Sequence, residues 1–354
     1  MTMPKPIPTD AMPDAVAELV PPPERVADYH GARTIAGLAH NALATMRRRA
    51  EGTDRPIPTP WREVNEALQG GLWPAMYTLT SGTGAGKSQW ALQVALHAAQ
   101  CELEKPKDQR RPVVYVALEL GALDIVARLA GLLSGKRWSD LVYGNGSDEP
   151  TAEIRRAHAL RNIEEATTAF LNANIDDLPL MVEVAPPTGW SADRLIGMAK
   201  EITPRMIVID YLQLVSAPEN NPRADLRQSI GMVAYAARAI ARDHDVAVLL
   251  LSSTSRENYE KTDGEGRHAP GNGNPAQLVG LGKESGEIEF AADVALVLVR
   301  EKWEQGKKDR PTWLAVAKQR GGPNAWVKLN FDGSKFSEAD ARTKPETIAS
   351  EWAC

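Results

Sequence analysis

The sequence predicts an α/β fold in which helices cover both faces of a mainly parallel sheet, and three observations carry that expectation. A glycine-rich turn, Ser81-Gly82-Thr83-Gly84-Ala85-Gly86-Lys87-Ser88, follows a short apolar run at 76–79 and opens a helical run at 89–99. Further apolar runs without alternation stand at 113–118, 206–209, 247–251, 294–299 and 313–317, the pattern of strands buried on both faces. Helical patterns separate the earlier runs, and strands that alternate with helices assemble a parallel sheet. Ligands of such sheets sit at the carboxyl ends of the strands.

With 354 residues, 43% of them hydrophobic and 25% charged, the chain can bury a large core and has the composition of a soluble globular protein. No run approaches the roughly 18–20 apolar residues of a membrane span, and the first 20 residues lack the basic-then-apolar order of a secretion signal. A cytoplasmic protein without membrane contact is expected. The net charge of −5 gives no overall attraction to nucleic acid, so such contacts would have to come from local basic loops. Two cysteines, Cys101 and Cys354, indicate neither a disulfide framework nor a cysteine metal site.

Residues 1–28, with prolines at 4, 6, 8, 13 and 21–23, read as a disordered tail. The segment 29–51 holds a well-punctuated helix. Thr34 is its N-cap, and Ile35, Leu38, Ala39, Ala42, Leu43 and Met46 recur on one face. Arg47-Arg48-Arg49 fill the last turn, and Gly52 stands just beyond. This helix packs either on its own domain or on a neighbouring subunit, and the proline-bearing linker 52–60 favours the second. The main domain, 61–336, begins with a short helix at 62–68 and Gly70-Gly71 ahead of the first strand. It continues with a helix at 122–133 and a stronger one at 224–243 that carries Leu226, Ile230, Val233, Ala237 and Ile240 on one face. Two polar insertions, 139–178 (helical over 152–171) and 257–282, interrupt it. The second contains Gly271-Asn272-Gly273-Asn274 and reads as a mobile loop. Residues 337–354 form a C-terminal tail.

The glycine-rich turn is a phosphate cradle. Glycines at 82, 84 and 86 let successive N–H groups turn inward, the helix that follows adds its positive end, and Lys87 adds a mobile charge. Ser88 is placed to hold Mg²⁺ through its hydroxyl. The strict pattern has Gly where this chain has Ser81. Hydrolysis of a bound nucleotide also needs a carboxylate to orient Mg²⁺ and a base for water. Asp210, closing the run 206–209, and Glu119, closing 113–118, are the candidates.

Four runs in this order are specific: Leu118-Glu119-Leu120; Ile207-Val208-Ile209-Asp210-Tyr211-Leu212-Gln213-Leu214; Glu284-Ser285-Gly286 followed by Ile288-Glu289; and Lys318-Gln319-Arg320 with Gly322-Pro323. Over about residues 58–336 the chain resembles the motor domain of the DnaB-type replicative helicases, whose cradle also lacks the first glycine. The resemblance implies a RecA-like P-loop ATPase that uses ATP and Mg²⁺, assembles as a hexameric ring and translocates on single-stranded DNA in replication, as in a phage or mobile element. It implies that residues Ser81, Gly82, Thr83, Gly84, Ala85, Gly86, Lys87 and Ser88 bind the nucleotide, that Asp210 places the metal and that Glu119 activates water. Lys318 and Arg320, two apart on a strand and therefore expected on one face, would reach the nucleotide of the neighbouring subunit, and the helix at 34–50 would dock on that subunit. Lys283, Glu284 and Gly286, with Arg267 nearby, would grip DNA. Gln213, Ser253 and Arg256 would couple the two sites.

Two departures stand out. The Pro-rich tail is expected to stand in place of the family's large N-terminal domain, so loader and primase partners are not carried over. Where the family has a Gln thought to sense the γ-phosphate, this chain has Ser253, which is too short to span both sites. The rival readings are a filament-forming recombination or repair ATPase and a nucleotide-gated scaffold or loader that hydrolyses slowly.

Overall fold

The structure, a computed structural model, describes residues 34–144, 151–184, 189–217, 221–254, 273–281, 288, 291–301 and 310–339. The chain divides into two compact units, 1–55 and 56–354. The first contains helix α1 (Ile35–Ala50), which starts where the sequence places it because the Thr34 hydroxyl accepts the Gly37 N–H at 3.2 Å. That bond satisfies one of the orphan donors of the first turn. Along α1, Ile35, Leu38, Leu43 and Met46 are all exposed, Ile35 by 82%. The expected proline-rich tail, 1–28, lies outside the described residues, and so does the C-terminal tail apart from residues 337–339.

The second unit runs α2 (Arg62–Ala67), β1 (Met76–Ser81), α3 (Lys87–Leu103), β2 (Val113–Ala117), α4 (Ala122–Ser134), α5 (Trp138–Tyr143), α6 (Ala152–Asn172), β3 (Leu180–Val184), α7 (Ala192–Ile202), β4 (Met206–Asp210), α8 (Leu226–His244), β5 (Ala247–Ser253), β6 (Val294–Arg300), β7 (Arg310–Gln319), β8 (Ala325–Phe331) and β9 (Phe336–Glu338). The sheet order is β3-β2-β4-β5-β1-β6-β7-β8-β9. The first six strands of the chain pair in parallel, and β7, β8 and β9 extend the sheet antiparallel. An α/β sheet with helices on both sides is therefore present as expected.

Alternation along the central strands sorts side chains to two cores. Tyr77, Leu79, Tyr115, Val208 and Leu249 face one way, where they pack with Trp61, Trp90 and Leu92. Val114, Val116, Ile207, Ile209, Val248 and Leu250 face the other, against Leu195, Val233 and Ile240. Each such side chain, withdrawn fully from water, contributes roughly 1.5–3 kcal/mol. The helix α8 is set by a capping box in which Asp225 and Gln228 bond each other's backbone N–H. No helix among the described residues is long and apolar enough to cross a membrane.

Five elements were not anticipated, the short helix α5, which buries none of its residues, among them. The strand β3 is a half-exposed edge whose apolar run is broken by Glu183, whereas α7 buries Ala192, Leu195 and Ala199 at helical spacing, a signal that the sequence did carry. The pair β8 and β9 does alternate, with Val327, Leu329 and Phe336 inside, but its antiparallel pairing is a late extension of a sheet whose earlier strands read as parallel.

Candidate nucleotide site

Two glycines with positive φ shape the cradle, Gly84 at +73° and Gly86 at +92°. At Gly86 the requirement is double. A Cβ there would stand 2.9 Å from the Phe336 ring and 3.0 Å from the Phe331 ring, which stack on each other at a centroid distance of 4.3 Å. Glycine thus lets the loop pass under an aromatic pair and enter α3 at Lys87 directly, two residues earlier than the sequence predicts. No side chain caps α3, so its first N–H groups remain available to an anion.

Lys87 folds back on the loop. Its Nζ donates to the carbonyls of Ser81 and Gly82 at 3.0 and 3.1 Å. Burial pushes its pKa down to about 8, offset in part by the negative charges of Asp210 and Glu119, while Arg300 pushes it down further. Asp210, at the end of β4, is 1% exposed. Burial raises its pKa, opposed by hydrogen bonds from Ser88 and Tyr115 and by the charge of Lys87. Ser88 is the first-turn hydroxyl of α3, and Asp210 ends the strand beside β2, so the order of the strands brings the two together.

The cleft, of about 400 Å³, is lined by Thr83, Gly84, Gly86, Lys87, Ser88, Glu119, Asp210 and Ser253 among the anticipated residues. Ser81 lies beneath it, fully buried at the end of β1. Residues that sequence reasoning missed complete it: Arg128, Trp138, Phe331 and Gly333. The Arg128 guanidinium lies 4.0 Å over the Trp138 ring and donates to Gln89 at 3.0 Å, while the Trp138 indole donates to the Gly333 carbonyl at 3.3 Å. Arg300 stands beside Gly84, 3.8 Å from where a Cβ would be. A cation that ends the buried run 294–299 was a signal available in the sequence. The Arg128 and Trp138 pairing was not, since it joins two helices.

Gln213 donates to the Ser252 hydroxyl at 2.9 Å, and the Thr254 N–H donates to the Ser81 carbonyl at 3.1 Å. The end of β5 is thus tied both to the cradle and to the segment after Asp210. Lys318 and Arg320 lie elsewhere. The strand β7 runs antiparallel to β6, so Lys318 pairs with Ala295 and the Arg320 N–H donates to the Asp293 carbonyl at 3.0 Å. The Asp293 N–H in turn donates to Met76, the first residue of β1. The cradle begins at the other end of that strand, about 16 Å away for five residues of extended chain. Arg320 sits in the turn past β7, so strand alternation does not give it a shared face with Lys318. Its Nε is 3.4 Å from the Asp293 carboxylate. Arg256, Arg267, Lys283, Glu284, Ser285 and Gly286 lie outside the described residues.

A phosphate cradle at the carboxyl edge of a parallel sheet, with a buried carboxylate on the strand beyond its neighbour, defines a P-loop nucleotide-binding domain of the RecA-like kind. The chain belongs to the DnaB-like helicase C terminal domain family, whose model matches residues 56–338. It is 27% identical over 329 residues to the replicative DNA helicase DnaB of Leifsonia xyli subsp. xyli, covering 89% of this chain and 63% of that one. It is 24% identical over 303 residues to DnaB of Geobacillus stearothermophilus, covering 84% and 60%. The chain thus spans about three fifths of the length of these relatives. Among solved structures, an isolated ATPase domain superposes with a TM-score of 0.60 at 20% identity, over 84% of this chain and 97% of that one. A DnaB-like replicative helicase studied with primase gives 0.60 at 21%, over 84% and 66%. These two likenesses establish the fold.

Two outcomes are expected. Gly86→Ala meets both the left-handed backbone and the aromatic pair, and should lower the unfolding free energy by roughly 2–4 kcal/mol. Adding Phe336→Leu should relieve the crowding, so that denaturant midpoints show the two losses to be less than additive; strict additivity would show that crowding is not the cause. For Lys87, the native group binds fewer protons than the unfolded one between about pH 8 and 10.5. Its penalty on stability is therefore full below that window and disappears above it. Lys87→Met should raise the stability of the nucleotide-free protein at pH 7 by on the order of 1 kcal/mol, with an advantage that shrinks as pH rises to about 9.5. A gain indifferent to pH would assign the effect to packing.

Proposed function

We propose that this chain is the motor of an ATP-dependent DNA helicase: a ring-forming, hexameric ATPase that moves along single-stranded DNA in replication, working in the cytoplasm. Residues Ser81 to Ser88 would hold the phosphates of ATP, with Lys87 leaving the carbonyls of Ser81 and Gly82 for the β- and γ-phosphates. Among the described residues no group of three or more His, Cys, Asp or Glu side chains could hold a metal by itself. Ser88 and Asp210, already bonded to each other, fit Mg²⁺, a hard cation commonly held by one or two protein oxygens together with substrate phosphates. Bound there, Mg²⁺ would neutralise charge on the phosphates. Glu119, exposed at the end of β2 and facing the same cleft, would orient the attacking water. Arg128 and Trp138 offer a flat cationic and aromatic wall for the nucleobase.

The observation that carries this reading is the separation of the two halves of the catalytic set. Lys87, Ser88, Glu119 and Asp210 converge at one end of the sheet, whereas Lys318 and Arg320 stand at the other, out of reach of their own cradle. In the Arg320 ion pair with Asp293 the Nε is the near nitrogen, which leaves its terminal amino groups for a second partner. A head-to-tail assembly joins the two halves, since each cradle then meets the next subunit's Arg320. The exposed apolar face of α1 fits docking on that neighbour. Lys283, Glu284, Gly286 and Arg267 would contact the DNA backbone, Lys283 as a point charge. Gln213, Ser253 and Arg256 would relay the state of the nucleotide.

Arg320→Ala should lower turnover by at least about a hundredfold while nucleotide binding stays near native. Mixing it with Lys87→Ala subunits should restore part of the activity, because some interfaces then pair an intact cradle with an intact arginine; mixed assemblies without any recovery would count against a shared site. A chain beginning at Gly52 should keep its fold, since the core starts at Ile57 and Trp61, yet lose most of its oligomer at micromolar concentration. Light scattering that finds it as oligomeric as the full chain would show that the α1 face packs within its own subunit.

A further inference from the structure

Tyr115 is the one polar side chain of β2, and nothing in the sequence reading gave it a task. It is fully buried, on the face that holds the Trp61 and Trp90 core. A buried phenol needs a partner for its O–H. The strand register puts Tyr115 opposite Val208 on β4, and Val208 shares a face with Asp210, two residues on. The ring therefore lies diagonally beneath the Asp210 carboxylate. Its hydroxyl donates to Asp210 Oδ2 at 2.7 Å, while the Ser88 carbonyl is 3.5 Å away. A phenol has one proton, and the shorter contact takes it.

The surrounding packing asks only for an apolar side chain. Val113 and Ala117, the like-facing neighbours of Tyr115 on the strand, are both buried with no polar atom to satisfy. What the hydroxyl adds is a fixed donor to a carboxylate that is itself almost wholly out of water, on the side away from the cleft. With Ser88 bonded to the same carboxylate, Asp210 is held from two directions and cannot rotate without giving up a short hydrogen bond in a dry environment.

We infer that Tyr115 is a positioning residue for the metal-holding pair Ser88 and Asp210, fixing the orientation of the Asp210 carboxylate through its hydroxyl. The inference rests on the proposed assignment of that pair to Mg²⁺. Hydrogen bonds of this kind, one step behind a ligand, orient it, and their loss typically costs about 10- to 100-fold in metal affinity or activity.

The test is a titration of Mg²⁺ against binding of a slowly hydrolysed ATP analogue to the full-length protein, read by nucleotide fluorescence and not by turnover. Tyr115→Phe deletes one oxygen and keeps the ring. It should bind the analogue without Mg²⁺ as the native chain does, and should need about tenfold more Mg²⁺ for half-maximal enhancement of binding. Thermal melting reports whether the fold is kept, and Tyr115→Met carries the same expectation as a second variant without the hydroxyl. Val116→Leu, which alters packing on the opposite face of β2, should leave the Mg²⁺ midpoint at the native value. A native midpoint in folded Tyr115→Phe overturns the inference, as does an equal shift in Val116→Leu. Asp210→Asn separates this failure from that of the underlying assignment. If it abolishes the Mg²⁺ enhancement while Tyr115→Phe does nothing, Tyr115 alone is excluded; if Asp210→Asn keeps a native Mg²⁺ response, the assignment of Asp210 falls and the inference falls with it.

Discussion

A sheet buried on both faces has room for polar chemistry only at its edges and at the two ends of its strands, and this constraint orders the molecule. The strands β1, β2, β4 and β5 carry no charged side chain along their buried stretches until Asp210 closes β4. At the carboxyl ends of the strands, the cradle, Glu119, Asp210, Ser253 and Arg300 gather around one cleft. At the other end, Arg111 donates to the carbonyls of Thr203, Pro204, His244 and Asp245, fastening β2 to the loops that precede β4 and β5. Asp293 joins β1, α8 and Arg320 there, through the Met76 N–H, Arg238 and Arg320. One end of the sheet is built to receive an anion. The other holds its strands together and presents a guanidinium outward.

The cleft is also where local preferences conflict with stability. Lys87 is a cation in a dry place, Asp210 is a carboxylate in one, and each is made tolerable chiefly by the other and by neutral donors and acceptors around them. Such an arrangement costs the nucleotide-free protein stability and returns it when phosphate enters, which is the free-energy difference that a nucleotide-driven machine must draw on. The aromatic pair Phe331 and Phe336 fixes the cradle from above Gly86, so the late antiparallel hairpin, far away in sequence, sets the shape of the phosphate loop. The bonds from Gln213 to Ser252 and from Thr254 to Ser81 tie the end of β5 to both sides of the cleft. They offer routes for coupling that do not need a long side chain at Ser253.

Much of this was legible in the sequence because buried parallel strands announce themselves as unbroken apolar runs and the cradle has a fixed spacing. The cradle, Glu119 and Asp210 could be placed because each ends such a run. The features that were not legible depend on pairing between distant segments. Tyr115 looks like one more β-former until β4 is laid beside it, and Arg128 and Trp138 belong to different helices. The edge strand β3 has too little buried surface to leave a pattern, while the helical spacing of Ala192, Leu195 and Ala199 in α7 was legible and was passed over. Arg320 was recognised, but strand alternation was the wrong argument for its placement. It stands in the turn, held by the backbone and the carboxylate of Asp293.

The central claim is that the cleft powers movement of the assembled chain along single-stranded DNA. Strand separation on a forked duplex, followed in real time with ATP and Mg²⁺ and beside particle images of the same sample, tests it most directly. The account predicts closed rings and ATP-dependent release of the labelled strand. Hydrolysis by well-formed particles that never separate the fork would contradict it.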